Sequence, residues 1–324
     1  MEAKDGFIRN RILDNPAGGS YIALVLLCVV ASIASPSIFP TVRNISNILR
    51  QVSIVGVVSI GMTIVLLVGG IDLSVTYVMA IAACIFAHTS KSFIAAGFPQ
   101  FWIFSAIGIL LFGAFIGFLN GFMVVYRNVE SFIITLGMGQ TLRGLNYIYT
   151  RGAPGGTVNT LWRKIGSEAL FGVIPHLVVI FFALFVIFSV ILKKSIYGRH
   201  LYAIGSNREA ACLSGIKVHR DKIIAFMLCG LTAAIAGIML AARVRVGEPN
   251  GSNGYDMDAI AAVVIGGTAM SGGVGSLTGT VAGVLILAVM HNFLNIIGAD
   301  PNLQIAIKGL IVLTAVLIQK NRSK

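Results

Sequence analysis

The stretch "GAFIGFLNG", residues 113–121, places a glycine at every fourth position inside a long apolar run, and "GSLTGTVAG", residues 275–283, repeats the pattern. At 3.6 residues per turn, Gly113, Gly117 and Gly121 share one helix face, and so do Gly275, Gly279 and Gly283. A face without side chains lets two backbones approach closely. Packing and weak Cα–H contacts then hold helices together where lipid removes the hydrophobic drive. The second triplet follows the first by 162 residues (275 minus 113), half of the 324-residue chain.

Working outward, apolar runs can be drawn at 20–39, 49–69, 72–88, 101–126, 131–150, 172–192, 222–243, 258–272, 275–293 and 303–319. A mean hydropathy of +0.90 and 56% hydrophobic residues put the chain in the membrane class. The expected fold is all-α, a polytopic membrane protein of about ten transmembrane helices joined by short loops, with no room for a soluble catalytic domain of the usual ~100 residues. The glycine triplets fall in the fourth and ninth runs. Five crossings separate these, so they point in opposite directions, as a five-plus-five inverted repeat requires. In that register the third and eighth runs correspond, at 17 and 15 residues both shorter than a crossing needs. Each begins with a carboxylate, Asp72 and Asp258. Paired short or broken helices in the two halves of a transporter point to its substrate region.

The formal charge of +12 does not imply a nucleic-acid partner, because Lys and Arg at the ends of apolar spans report orientation. With the N-terminus inside, most of them fall on the cytoplasmic side. The expected division is a cytoplasmic tail at 1–19, a membrane domain at 20–319 with a cytoplasmic loop at 193–222, and a second cytoplasmic tail at 320–324. Cys28, Cys84, Cys212 and Cys229 show no CxxC spacing, so neither a disulfide frame nor a metal site is expected.

The loop at 193–222 holds seven of the 24 Lys and Arg, and within it lies the polar island "SNREAACLSGI", residues 206–216. Ser206 or Asn207 can cap a helix start, Glu209 suits the first turn and Gly215 the C-terminal cap. So short a helix is marginal in water and needs a surface to lie on. A docking knob for a soluble cytoplasmic partner and an ordinary connecting loop both fit.

"EAACLSG" within "YGRHLYAIGSNREAACLSGIKV" is similar to the coupling segment of bacterial ABC importer permeases of the ribose type. "GMTIVLLVGGIDLSV", "NGFMVV" with "SFIITLGM", and "GYDMDAIAAVVIGGTAMSGGVGSLTGTVAGVLIL" resemble the same family, covering most of residues 50–320 in the same order. The resemblance implies a permease of the bacterial inner membrane that pairs with an identical or related copy. It also implies a cytoplasmic ATPase that holds ATP and Mg, and an extracytoplasmic binding protein that delivers a monosaccharide. Carried over, the coupling helix comprises Arg208, Glu209, Ala210, Ala211 and Gly215, seated in a groove of the ATPase. The family usually has Gly after "GGIDLSV", where this chain has Thr76, a β-branched residue able to narrow a close helix contact.

No cofactor or catalytic residue is expected in the chain itself. No Gly-Lys dipeptide occurs, so the Lys of a phosphate-cradling loop is missing, and no HExxH is present. A sugar offers hydroxyls and no charge, so its path should carry neutral donors and acceptors. Ser74, Asn120, Thr135, Gln140, Asn292 and Asn295 are the candidates, with helix-to-helix hydrogen bonding as the alternative role for each. Asp72 and Asp258 join them as in-span carboxylates or, alternatively, cap short helices. An ion-coupled secondary transporter of a small polar solute is the competing class. It would need in-span acid–base chemistry, for which only Asp72, Arg143, Asp258 and Lys308 are available.

Overall fold

The computed structural model describes residues 18–322. Of the expected tails, 1–17 and 323–324 lie outside these residues, while 320–322 continue the last helix. Thirteen α-helices follow one another: α1 (Gly18–Ala34), α2 (Val42–Leu67), α3 (Val75–Ala95), α4 (Trp102–Arg127), α5 (Ser131–Thr150), α6 (Thr160–Ser167), α7 (His176–Lys194), α8 (Ile196–Ser206), α9 (Arg208–Leu213), α10 (Val218–Val244), α11 (Tyr255–Ile265), α12 (Leu277–Ile296) and α13 (Pro301–Arg322). The only strands among the described residues, β1 (Ala169–Leu170) and β2 (Ile174–Pro175), form a small antiparallel hairpin between α6 and α7. Each of the ten apolar runs contains one helix. Six helices, α2, α3, α4, α7, α10 and α12, are long and apolar enough to cross a membrane on their own.

Side-chain caps set several boundaries. Thr41, Asn159, Asn207 and Ser276 accept backbone N–H bonds at the starts of α2, α6, α9 and α12. Asn128, Arg151 and Arg245, with φ of 50°, 55° and 68°, turn the chain out of α4, α5 and α10.

The third run is not short. Its helix, α3, has 21 residues. It passes the polar string His88–Ser92 because Thr89 and Ser92 return their hydroxyls to the carbonyls of Ile85 and His88, at 2.8 and 3.1 Å. The break lies before it, at Val68–Ser74. The eighth run is short as read: α11 has 11 residues.

The helices α2 and α10 form the centre, with 83% and 72% of their apolar windows buried, against 22% for α4 and α7. These two are the second and seventh of the ten, and the contacts around them recur between halves. The pairing of α2 with α12 is matched by α10 with α4, and α2 with α11 by α10 with α3. Likewise α3 with α4 is matched by α11 with α12, and α3 with α5 by α11 with α13. Helix starts at 42 and 218, 75 and 255, and 102 and 277 are separated by 176, 180 and 175 residues.

The glycine triplets do not share that register. The face of Gly113, Gly117 and Gly121 lies on α10. Cβ atoms there would stand 2.5 Å from the Gly230 oxygen, 2.2 Å from the Phe226 oxygen and 2.9 Å from Ile223 Cα. The face of Gly275, Gly279 and Gly283 lies instead on the end of α11 and the loop after it, with clashes of 2.5 Å at Thr268, 2.0 Å at Gly266 and 1.9 Å at Ala262. Both triplets bring backbones together, but against different partners.

Candidate functional site

The short helix α9 is an exposed knob. Asn207 is extended (φ −156°, ψ 106°), which ends α8, and its side chain accepts the Ala210 N–H at 2.9 Å to start α9. Gly215, at φ +82°, closes the other end, where the Ile216 N–H reaches back to the Ala211 carbonyl at 3.1 Å. Arg208, Glu209, Ala210, Cys212 and Gly215 are exposed, and Leu213 is 91% exposed at the tip. Ala211 is different: it is only 4% exposed and belongs to the chain's own core. It fastens the knob and leaves the other residues free to meet a partner.

Behind α9, α8 is tied down firmly. Ser195 caps its start, the Tyr197 hydroxyl donates to the Asp221 carbonyl at 3.2 Å, and His200 Nδ1 lies 2.7 Å from Asp221 Oδ2. Burial, with the Asp221 charge adding to it, holds the Tyr197 phenol well above its ordinary range, so the group stays a neutral donor. At the far end Tyr202 donates to the Gly275 carbonyl at 3.0 Å.

Three residues before α9, Gly205 sits in a three-way backbone junction. A Cβ on it would lie 1.9 Å from the Leu67 oxygen and 2.2 Å from the Gly273 nitrogen. Those two atoms are themselves hydrogen-bonded, Gly273 N–H to Leu67 O, at 3.0 Å. Leu67 is the last residue of α2, and Gly273 lies in the loop between α11 and α12. Thus the root of the knob abuts both places where the two halves of the bundle are broken.

The first break, Val68–Ser74, is held by side chains of α4 and α5. Ser131 accepts the Ile71 N–H at 2.9 Å, and Thr135 accepts the Leu73 N–H at 3.0 Å. Asp72 Oδ1 takes both the N–H and the hydroxyl of Ser74, at 2.9 and 2.6 Å, and Asn120 donates to the Ser74 oxygen at 2.9 Å. Asp72, Ser74, Asn120 and Thr135 are thereby brought into one cluster with no more than 1% of any of them exposed. The cluster shapes the break and is closed to a solute in this conformation. Among the described residues, Asp72 Oδ2 and Asn120 Oδ1 are buried without a hydrogen-bond partner.

The other sequence candidates scatter. Asn292 and Asn44 exchange amide hydrogen bonds at 2.7 and 3.0 Å, clamping α12 to α2. Asn295 accepts from Gln304 of α13 at 3.0 Å. Asp258, near the start of α11, pairs with Lys308 of α13 beside His291, Gln51 and Val55 in a small cleft. Gln140 is exposed on α5, and Asn295 is exposed at the end of α12.

Thr76 is 2% exposed, and its hydroxyl accepts the Asp256 N–H at 2.9 Å while its carbonyl accepts from Ser252 at the same distance. A glycine there has no hydroxyl to give, so the side chain adds a tie between α3 and the start of α11. Sequence reasoning missed Ser131 and Gly205. Paired glycines at 69–70 and 272–273 mark the two breaks that meet Gly205, but the same pair recurs at 18–19, 155–156 and 266–267, so it does not single out the junction.

A bundle of ten helical runs, built as two matching sets around breaks that bury polar side chains, defines a multi-pass membrane protein with the construction of a transporter. The chain belongs to the family described as branched-chain amino acid transport system / permease component, whose model matches residues 44–316. It is 39% identical over 310 residues to the ribose import permease protein RbsC of Bacillus subtilis, covering 94% of this chain and 93% of that one. To RbsC of Escherichia coli K12 it is 39% identical, with the same coverage of each chain. To the L-arabinose transport system permease protein AraH of that strain it is 36% identical over 321 residues, 99% of this chain and 95% of that one. No solved structure matches. The chain is therefore a permease subunit and not itself an enzyme.

Proposed function

We propose that this chain is the membrane-spanning subunit of an ATP-driven ABC importer that moves a monosaccharide, a ribose-like pentose or a related sugar, across the bacterial inner membrane by alternating access. The relatives named for ribose and L-arabinose support the solute class. The observation that carries the energy source is α9, a capped helix of six residues that shows charge and an apolar tip to the outside while Ala211 anchors it. A short helix with an open face fits a groove on a soluble partner, and this partner is the cytoplasmic ATPase that binds ATP and Mg.

On this reading Arg208, Glu209, Ala210 and Leu213 engage the ATPase, with the N-terminus and α9 on the cytoplasmic side. A second copy, identical or paralogous, completes the transporter, and an extracytoplasmic sugar-binding protein docks on the opposite face. Closure of the ATPases on ATP moves α9. The junction at Gly205 passes that movement to the breaks at Val68–Ser74 and 266–276, so that the two copies rock between outward and inward states. The in-span carboxylates support ATP coupling over ion coupling, since Asp258 is paired with Lys308 and Asp72 is engaged by Ser74.

The test is ATP hydrolysis by the chain assembled in lipid with its ATPase and binding protein, while monosaccharides are screened. Sugar-stimulated hydrolysis that Glu209→Lys abolishes supports the proposal. Hydrolysis that no sugar stimulates, or that Glu209→Lys leaves unchanged, counts against it.

A further inference from the structure

We propose that the outer face of α5, together with Tyr77, Tyr147 and Asn250, is an aqueous wall of the sugar path, with Arg143 as its centre for binding hydroxyls. The proposal rests on the sugar reading above and assigns it a site.

The helix α5 has 20 residues, long enough to span, yet it is not among the helices apolar enough to do so alone. One face is buried in the bundle through Ser131, Thr135, Gly139, Leu142, Asn146 and Thr150. The other exposes Gln140, Thr141 and Arg143, the tenth, eleventh and thirteenth residues of the helix, flanked along it by the exposed apolar side chains of Leu136, Leu145 and Ile148. These positions are too far from either end for a polar group to reach the headgroups easily. Polar and charged side chains at such depth face water or protein, not hydrocarbon.

Arg143 is arranged for a ligand. Its guanidinium carbon stands 6.0 Å from the centre of the Tyr77 ring and 5.8 Å from that of Tyr147, so two aromatic faces hold it. Among the described residues it has no ion pair and no hydrogen-bond acceptor, which leaves its fork of N–H donors open. Tyr147 is fixed in turn, donating to Asn250 at 2.5 Å. Above and below, a Cβ on Gly137 or Gly144 would touch nothing within 4 Å, so there is open space at both positions.

That chemistry suits a neutral polyol. The hydroxyl oxygens of a sugar accept from the guanidinium, Gln140 can both donate and accept, and the tyrosine rings offer flat surfaces to the C–H face of a pyranose or furanose. The wall is open on one side, where the second permease copy supplies the other half. Gln140 thus belongs with the wall that Tyr77 of α3 and Asn250 of the loop before α11 complete, and not with the closed cluster around Asp72.

The experiment uses the assembled transporter in proteoliposomes, with Cys28 and Cys212, the two cysteines that are not buried, replaced by alanine. A charged, membrane-impermeant thiol reagent is applied to Gln140→Cys, Gly144→Cys and, as a lipid-facing comparator on α7, Ile187→Cys, which is 52% exposed. Labelling at 140 and 144 at least about tenfold faster than at 187, slowed by ribose or arabinose with the binding protein and ATP present, is the expected result. Arg143→Gln should lower uptake of the protecting sugar by about tenfold or more, the scale on which a site built to bond hydroxyls fails when a partner is removed. Equal labelling at all three positions would place the face against lipid or protein and overturn the proposal while leaving the importer reading intact. Fast labelling with uptake of sugar but no protection would also overturn it as a binding wall. Fast labelling with uptake of neither sugar would overturn the sugar assignment and, with it, the function proposed above.

Discussion

Replacing Gly205 by alanine is the most demanding perturbation of this architecture, because it adds one methyl group at the root of α9. The new Cβ would lie 1.9 Å from the Leu67 oxygen and 2.2 Å from the Gly273 nitrogen. Non-bonded heavy atoms pack at about 3.5 Å, so roughly 1.5 Å of separation is missing. Neither clashing atom belongs to a flexible side chain, and the end of α8 must therefore lift away from α2 or the Gly273–Leu67 hydrogen bond must open. Overpacking of this kind costs about 1–3 kcal/mol and the lost bond about 1 kcal/mol. Together about 2–4 kcal/mol act on the contact that joins the knob to both breaks, a factor of about 30 or more at 1.4 kcal/mol per decade. The assay is the ratio of sugar imported to ATP hydrolysed by the assembled transporter, with Gly108→Ala as control, since a Cβ there meets nothing within 4 Å. The ratio should fall by at least about tenfold in Gly205→Ala while the control stays near the parent. A Gly205→Ala transporter that assembles in normal amount and keeps its ratio would refute the role of the junction.

Other expectations follow from the same geometry. Leu213→Asp should change the thermal stability of the isolated permease by no more than about 0.5 kcal/mol, since the side chain is 91% exposed, yet abolish co-purification of the ATPase. Asp72→Asn keeps an acceptor for Ser74 and removes a buried charge, so it should be neutral or stabilising by about 1 kcal/mol in denaturation in detergent. Asp72→Ala, which strands the Ser74 donors, should destabilise by about 1–3 kcal/mol. Thr76→Val keeps the shape and removes the hydroxyl that accepts the Asp256 N–H, and should cost about 1–2 kcal/mol. In a double-mutant cycle, Asn44→Ala and Asn292→Ala should show a coupling of about 0.6–2 kcal/mol, because the two amides bond each other while the further bond of Asn44 to the Phe39 carbonyl cancels in the cycle.

Much of the fold is legible in the sequence because a membrane helix announces itself by length and apolarity, and every apolar run holds one. The errors fall where side-chain chemistry overrides that signal. By apolarity the third run extends from Asp72 to His88, but its helix starts at Val75 and crosses Thr89 and Ser92, whose hydroxyls satisfy themselves on the preceding turn. The glycine triplets indicate close backbones without indicating against what, and each lies on a different kind of neighbour. The site is less legible for a related reason. Periodicity tells that Asn120 faces inward, but not that it meets Ser74, 46 residues earlier, or that Thr135 bonds the backbone of Leu73. Gly205 reads as one helix glycine among many, and only its contact with Leu67 and Gly273 sets it apart. Arg143 and Tyr147, four residues apart on α5, were in plain view as an in-span charge and an interface aromatic, and their common partner Tyr77 comes from another helix.

The central claim, that this permease imports a monosaccharide at the expense of ATP bound by a partner, is tested most directly by uptake of labelled ribose into proteoliposomes. The binding protein is placed outside and ATP is supplied to the side of the ATPase. Uptake that requires ATP and all three proteins, survives collapse of ion gradients and disappears in Leu213→Asp is the predicted result. Uptake by this chain alone, driven by an ion gradient and indifferent to Leu213→Asp, would contradict it.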